Sequence, residues 1–107
     1  MGLTSWTAAK GAGGKACVLG LGRSGMAASR LLLHRGMRVC GLERSVSEEI
    51  RRAWEPLAER GGELVAGPHP MRVLDDCAVL VRSPGVPADV PILVEARRRG
   101  IPVRSEL

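Results

Sequence analysis

The string Gly20-Leu21-Gly22-Arg23-Ser24-Gly25 constrains this chain more than any other feature. It stands between a short apolar run, Ala16 to Leu19, and a stretch whose apolar residues recur at helical spacing. A run of four apolar residues that stops at glycine reads as a strand buried on both faces. G-x-G-x-x-G in that position is the strand-turn-helix joint of a nucleotide-binding fold. Gly20 permits the tight turn, Gly22 lets backbone come close to a diphosphate, and Gly25 lets the helix pack on the strand. The helix start offers unpaired N–H groups and about half a positive charge to an anion. With side-chain help from Arg23 or Ser24, two or three charged hydrogen bonds of roughly 1.5 to 3 kcal/mol each give micromolar binding at best.

Beyond the turn the pattern alternates. From Ser24, the residues Ala27, Ala28, Leu31 and Leu32 mark a first helix, with His34 and Arg35 in a cationic last turn before Gly36. Arg38 to Leu42 reads as a second strand, ending at Glu43. Ser45 and Glu48 have capping-box spacing for a second helix bearing Ile50, Ala53, Trp54 and Leu57. Pro56 is expected to kink or split that helix, and Gly61-Gly62 to end it. Glu63 to Ala66 is a weak third strand, followed by a loop, Gly67-Pro68-His69-Pro70, and a short segment from Met71 to Leu74. Ala78 to Val81 is another buried strand, and it runs into Ser83-Pro84-Gly85-Val86-Pro87, whose prolines forbid both helix and ladder. Pro91, Ile92, Leu93, Ala96 and Arg97-Arg98-Arg99 before Gly100 spell a third helix, and Ile101-Pro102-Val103 opens a last strand.

Strands alternating with helices imply an α/β fold, a Rossmann-like doubly wound parallel sheet of about five strands with right-handed crossovers. The 107 residues suffice for a single domain with one core. Residues 1–14, with the run Lys10-Gly11-Ala12-Gly13-Gly14, read as a flexible leader, and residues 15–107 as the domain.

The net charge is +5, and 14 of the 16 basic residues are arginine, whose guanidinium suits phosphate. An anionic partner fits. Nucleic acid does not: two Trp with no Phe or Tyr leave little to stack on bases, and the arginines are scattered. The run Arg97 to Arg99 reads as a solvated helix end. Cys17, Cys40 and Cys77 are odd in number, form no C-x-x-C pair and are joined by only two histidines, so no disulfide framework or zinc site is written here. They read as small hydrophobes of a reducing compartment. With no stretch near the ~18 apolar residues of a membrane span and no signal peptide, the expected location is cytoplasmic, with no membrane partner.

Glu43 lies where dinucleotide folds place the acid that reads a ribose 2′-hydroxyl, which points to NAD. Arg44 beside it suits a 2′-phosphate instead, so the two neighbours argue for different cofactors. A solvent-exposed strand-end carboxylate is the third reading.

Three strings taken together carry a resemblance: Val18 to Ala28 around the glycine turn, Ser83 to Pro87, and Gly100-Ile101-Pro102-Val103 with Ser105-Glu106-Leu107. They resemble the N-terminal domain of the D-glutamate-adding Mur ligases, the UDP-N-acetylmuramoyl-L-alanine:D-glutamate ligases of peptidoglycan synthesis. The resemblance runs from Lys15 to Leu107. It implies a domain that binds the uridine diphosphate end of UDP-N-acetylmuramoyl-L-alanine. Gly20, Gly22, Arg23, Ser24 and Gly25 would lie at the diphosphate and uracil, Glu43, Arg44 and Ser45 around uracil, and Ser83, Pro84 and Gly85 at the diphosphate. Relatives commonly show Asp where Glu43 stands and Thr-Arg or Ser-Arg after it, whereas this chain has Arg44-Ser45.

The same resemblance implies a full-length parent that uses ATP and magnesium to make an acyl phosphate, which the D-glutamate amine attacks. This chain has no Gly-Lys-Ser/Thr string for ATP. It reads as an inactive fragment with no catalytic residue, metal site or cofactor of its own, whose further partners are the missing ATPase and C-terminal domains. The alternative is a stand-alone NAD(P)-binding Rossmann module.

Overall fold

In a computed structural model, which describes residues 14–105, the apolar run becomes β1, Lys15–Leu19, the centre of a five-stranded sheet. There follow α1 (Arg23–His34), β2 (Arg38–Glu43), α2 (Glu48–Glu59), β3 (Glu63–Ala66), a 3-10 turn (Met71–Leu74), β4 (Cys77–Arg82), α3 (Pro91–Arg98) and β5 (Val103–Arg104). All pairings are parallel and the strand order is β3-β2-β1-β4-β5. The chain winds outward from β1 to β3, then crosses back to add β4 and β5 on the other side. The expected doubly wound sheet is therefore present. The leader falls on residues 1–14 and, apart from Gly14, lies outside the described residues, as do Glu106 and Leu107 of the closing string.

Alternation along the buried strands divides the core in two. Ala16, Val18, Val39, Val79 and Val81 meet α1 and α2 through Leu32, Leu33, Trp54 and Leu57. On the opposite face Cys17, Leu19, Cys40, Leu42 and Leu80 meet the 3-10 turn and α3 through Leu74, Ile92, Leu93 and Ala96. Helices thus cover both sides, as a parallel sheet requires. Cys17 and Cys40 are paired across β1 and β2, and all three cysteines are free thiols. Hydrogen bonds with Cys40 and Cys77, reinforced by burial, push the Cys17 thiol up, which keeps it protonated.

Several local expectations need correction. The cap of α2 is Ser47, whose hydroxyl accepts the Ile50 N–H at 3.1 Å, and not Ser45. The N–H of Ser45 turns instead to Glu43 Oε2 at 3.4 Å. Pro56 does not split α2, which is continuous through it. Pro56 and Arg52 are both exposed residues of the outer face, while buried Trp54 and Leu57 hold the helix on either side. β5 begins at Val103 because Ile101 N–H is spent on Ala96 O at 2.9 Å, closing α3, and Pro102 has no N–H to give. The arginine run, by contrast, is the exposed helix end that was expected, with its guanidiniums paired locally. Arg98 and Arg99 pair with Glu95 at 2.6 and 2.8 Å, Arg99 also with Asp75 at 2.9 Å, and Arg97 donates to Ala88 O at 2.9 Å.

Candidate functional site

The turn after β1 is built by close packing. Gly20 has φ +90°, which favours glycine, and its N–H bonds Leu42 O at 2.8 Å. A Cβ on Gly25 would lie 1.9 Å from Gly20 O, so only glycine lets α1 start this near the turn. From β4, Ser83 donates its hydroxyl to Gly20 O at 2.7 Å and its N–H to Leu19 O at 3.0 Å, strapping the two strand ends together. Ser83 and Gly25 are therefore structural parts of the turn in this geometry.

Gly22 differs. A Cβ there would meet nothing within 4 Å, and as the N-cap of α1 it makes no side-chain cap bond. The first helical bond runs from Met26 N–H to Gly22 O at 2.9 Å, leaving the N–H groups of Arg23, Ser24 and Gly25 without an intrahelical acceptor. Arg23 and Ser24 are exposed at the same place. α2, by contrast, is capped by Ser47 and begins with Glu48 and Glu49.

Glu43, at the end of β2, reaches back to the turn. Its Oε1 accepts the Leu21 N–H at 2.8 Å, while Oε2 takes only the longer bond from Ser45 N–H at 3.4 Å. A carboxylate oxygen has two lone pairs, so accepting capacity remains on this half-buried group.

A cavity of about 670 Å³ opens over the C-terminal ends of β1 and β2. Glu43, Arg44 and Ser45 line it together with Gly20 and Gly85, so the structure brings together predicted residues from three loops. Gly22, Arg23, Ser24, Gly25, Ser83 and Pro84 are not in its lining. They form the turn and the strap beside it. Sequence reasoning missed two walls: Gly67, Pro68, His69 and Met71 on one side, Val86, Val90 and Ile92 on the other. The available signal was that both segments follow the C-terminal end of a strand, where open α/β sheets bind ligands. Burial holds the His69 imidazole below its ordinary value, while Glu43 pulls it up and Arg44 pushes it down. Among the described residues no group of three His, Cys, Asp or Glu side chains is placed to hold a metal, and no helix is long and apolar enough to cross a membrane.

Residues 14–105 match the family described as Mur ligase MurD-like, N-terminal domain. The UDP-N-acetylmuramoylalanine–D-glutamate ligase of Synechocystis sp. is 40% identical over 95 residues, which is 87% of this chain and 21% of that protein. The protein of the same name from Streptococcus uberis is 42% identical over 94 residues, 87% of this chain and 20% of its own. The chain thus spans about a fifth of the length of these relatives. Among solved structures, a mutant of MtNAS is similar with a TM-score of 0.63 at 24% identity, covering 90% of this chain and 38% of that one. SirC, precorrin-2 dehydrogenase, is similar with a TM-score of 0.58 at 17% identity, covering 86% and 44%. At such identity the likeness is one of fold alone.

Proposed function

The chain belongs to the family of MurD-like N-terminal domains of Mur ligases, and from that premise we propose that it holds the uridine diphosphate end of UDP-N-acetylmuramoyl-L-alanine for a D-glutamate-adding ligase. The observation that carries this reading is the cavity over β1 and β2, with Glu43, Arg44 and Ser45 on one wall and Gly85 opposite, beside an uncapped helix start. The diphosphate lies at the first N–H groups of α1, with Arg23 and Ser24 adding contacts, and along the Ser83-Pro84-Gly85 strap. Uracil occupies the cavity, where Glu43 accepts its imide N–H.

Ligation belongs to the parent protein. No residue of this chain is assigned a catalytic role, and it offers neither a Gly-Lys-Ser/Thr string nor, among the described residues, a metal-binding cluster. On this reading ATP and magnesium serve other parts of the parent, and the chain alone should form no product when given both with D-glutamate and the UDP-sugar.

Titrating the labelled chain with UDP and with NAD, followed by amide NMR, tests the binding. UDP should shift Gly20 to Gly25, Glu43 to Ser45 and Ser83 to Gly85 in preference to other residues. Absence of those shifts at millimolar UDP, or tighter binding of NAD, would refute the reading.

A further inference from the structure

His69 stands on a rigid mount at the edge of the cavity. Gly67 N–H is shared between the carbonyls of Glu43 and Arg44, each at 3.2 Å, which fixes the loop to the end of β2. Pro68 and Pro70 flank the histidine, and Pro70 confines it to extended backbone. Pro70 O then accepts Val73 N–H at 3.1 Å, with Val73 and Leu74 buried in the core. Few degrees of freedom remain for a ligand to freeze.

The ring is asymmetric in its surroundings. Nδ1 is buried and has no hydrogen-bond partner, whereas Nε2 is not among the buried atoms. A hydrogen on Nδ1 would be a buried donor with no acceptor, the arrangement that folded proteins avoid most strictly. The hydrogen of the neutral imidazole is accordingly assigned to Nε2, leaving on Nδ1 a bare lone pair. Burial favours that neutral form. The cavity wall then presents a donor at His69 and an acceptor at Glu43, on loops joined by the Gly67 bonds.

Building on the uridine diphosphate reading, we propose that His69 selects the base: its Nε2–H donates to the C4 carbonyl oxygen of uracil, where cytosine carries an amino group, while Glu43 accepts the adjacent imide N–H. Uracil presents carbonyl, N–H and carbonyl along this edge. Cytosine presents a bare ring nitrogen in place of the N–H, which would face the carboxylate without a hydrogen between them. The pair accordingly favours a uridine over a cytidine nucleotide.

Calorimetric titration of UDP and CDP into the chain and into His69→Phe and His69→Gln tests this. The unsubstituted chain should bind UDP about ten times more tightly than CDP. His69→Phe should lose roughly five- to tenfold in UDP affinity and narrow the preference. His69→Gln, whose amide N–H₂ reaches the same place, should recover most of it. If His69→Phe does not fold, the imidazole ¹⁵N spectrum of the unsubstituted chain decides, since UDP must move the Nε2 resonance. An unchanged UDP-to-CDP ratio in His69→Phe, or an unmoved Nε2, overturns the role of His69 while leaving UDP binding intact. Failure of the unsubstituted chain to bind UDP defeats the underlying reading and this proposal with it.

Discussion

Replacing Gly25 by alanine probes the contact that brings α1 onto the turn. Its Cβ would lie 1.9 Å from Gly20 O, 2.9 Å from Gly20 C and 3.1 Å from Ser83 Oγ. The first two are backbone atoms of a residue whose N–H bonds Leu42 O at 2.8 Å, so they yield little. Since a carbon-to-oxygen contact needs roughly 3.3 Å, the first turn of α1 must retreat by about 1.4 Å. That retreat loosens buried Met26 and Ala28 from the sheet. Overpacking costs about 1 to 3 kcal/mol and occasionally more, and the rigid obstacle argues for the upper end. Alanine's better helix propensity returns about 1 kcal/mol. The net loss is about 2 kcal/mol, a fall in Tm of roughly 8 to 16 °C for a domain of this size. Thermal and urea unfolding followed by circular dichroism measure it. Gly22→Ala is the control: with φ −74° and nothing within 4 Å of its Cβ, its stability should stay within about 0.5 kcal/mol of the original. If Gly25→Ala melted within about 2 °C of the original, or above Gly22→Ala, the packing argument would fail.

Two further outcomes follow from local geometry. Ser47→Ala removes the bond to Ile50 N–H and should cost about 1 kcal/mol in urea unfolding, whereas Ser45→Ala should cost less than about 0.5 kcal/mol. Hydrogen bonds from Arg98 and then Arg99 lower the Glu95 carboxyl from 4.5 to about 2. The folded form therefore binds this proton more weakly than the unfolded chain. The stabilisation is present above pH 4.5 and is lost as pH falls through about 2. Carboxyl ¹³C NMR should show Glu95 titrating near 2, with the midpoint rising in Arg98→Gln, and an ordinary carboxyl midpoint would mean that the pairs do not form in solution.

The parts of this fold that were readable in the sequence are those decided by near neighbours. Ala16 to Leu19 and Ala78 to Val81 are apolar without interruption because both faces of their strands are covered, and the glycine turn announces itself because its three demands fall within six residues. Ser45 and Ser47 illustrate the limit: spacing to Glu48 favoured one, but the hydroxyl that reaches an orphan N–H belongs to the other. Gly41 is a second case. The strand is readable through it, but the reason for the glycine is not: its missing Cβ makes room for Trp54, whose Cη2 would lie 2.6 Å from one. Within the site, the turn and Glu43 were legible, whereas the walls carrying His69 and Val86 were not. Which loops face each other depends on strand order, and no local pattern encodes that.

The hydroxyl strut from Ser83 to Gly20 spans 63 positions along the chain. The glycine motif and its helix are thus made early in translation, but the piece that braces them arrives only when β4 slots in beside β1. A nascent chain stopped at Gly61 would already contain the whole fingerprint and two of the five strands, with nothing to clamp Gly20 in its final attitude. On the uridine diphosphate reading proposed above, competence to grip the nucleotide is acquired late, as a property of the finished sheet, and a truncated or permuted chain that parts β4 from β1 should keep the motif and lose UDP binding.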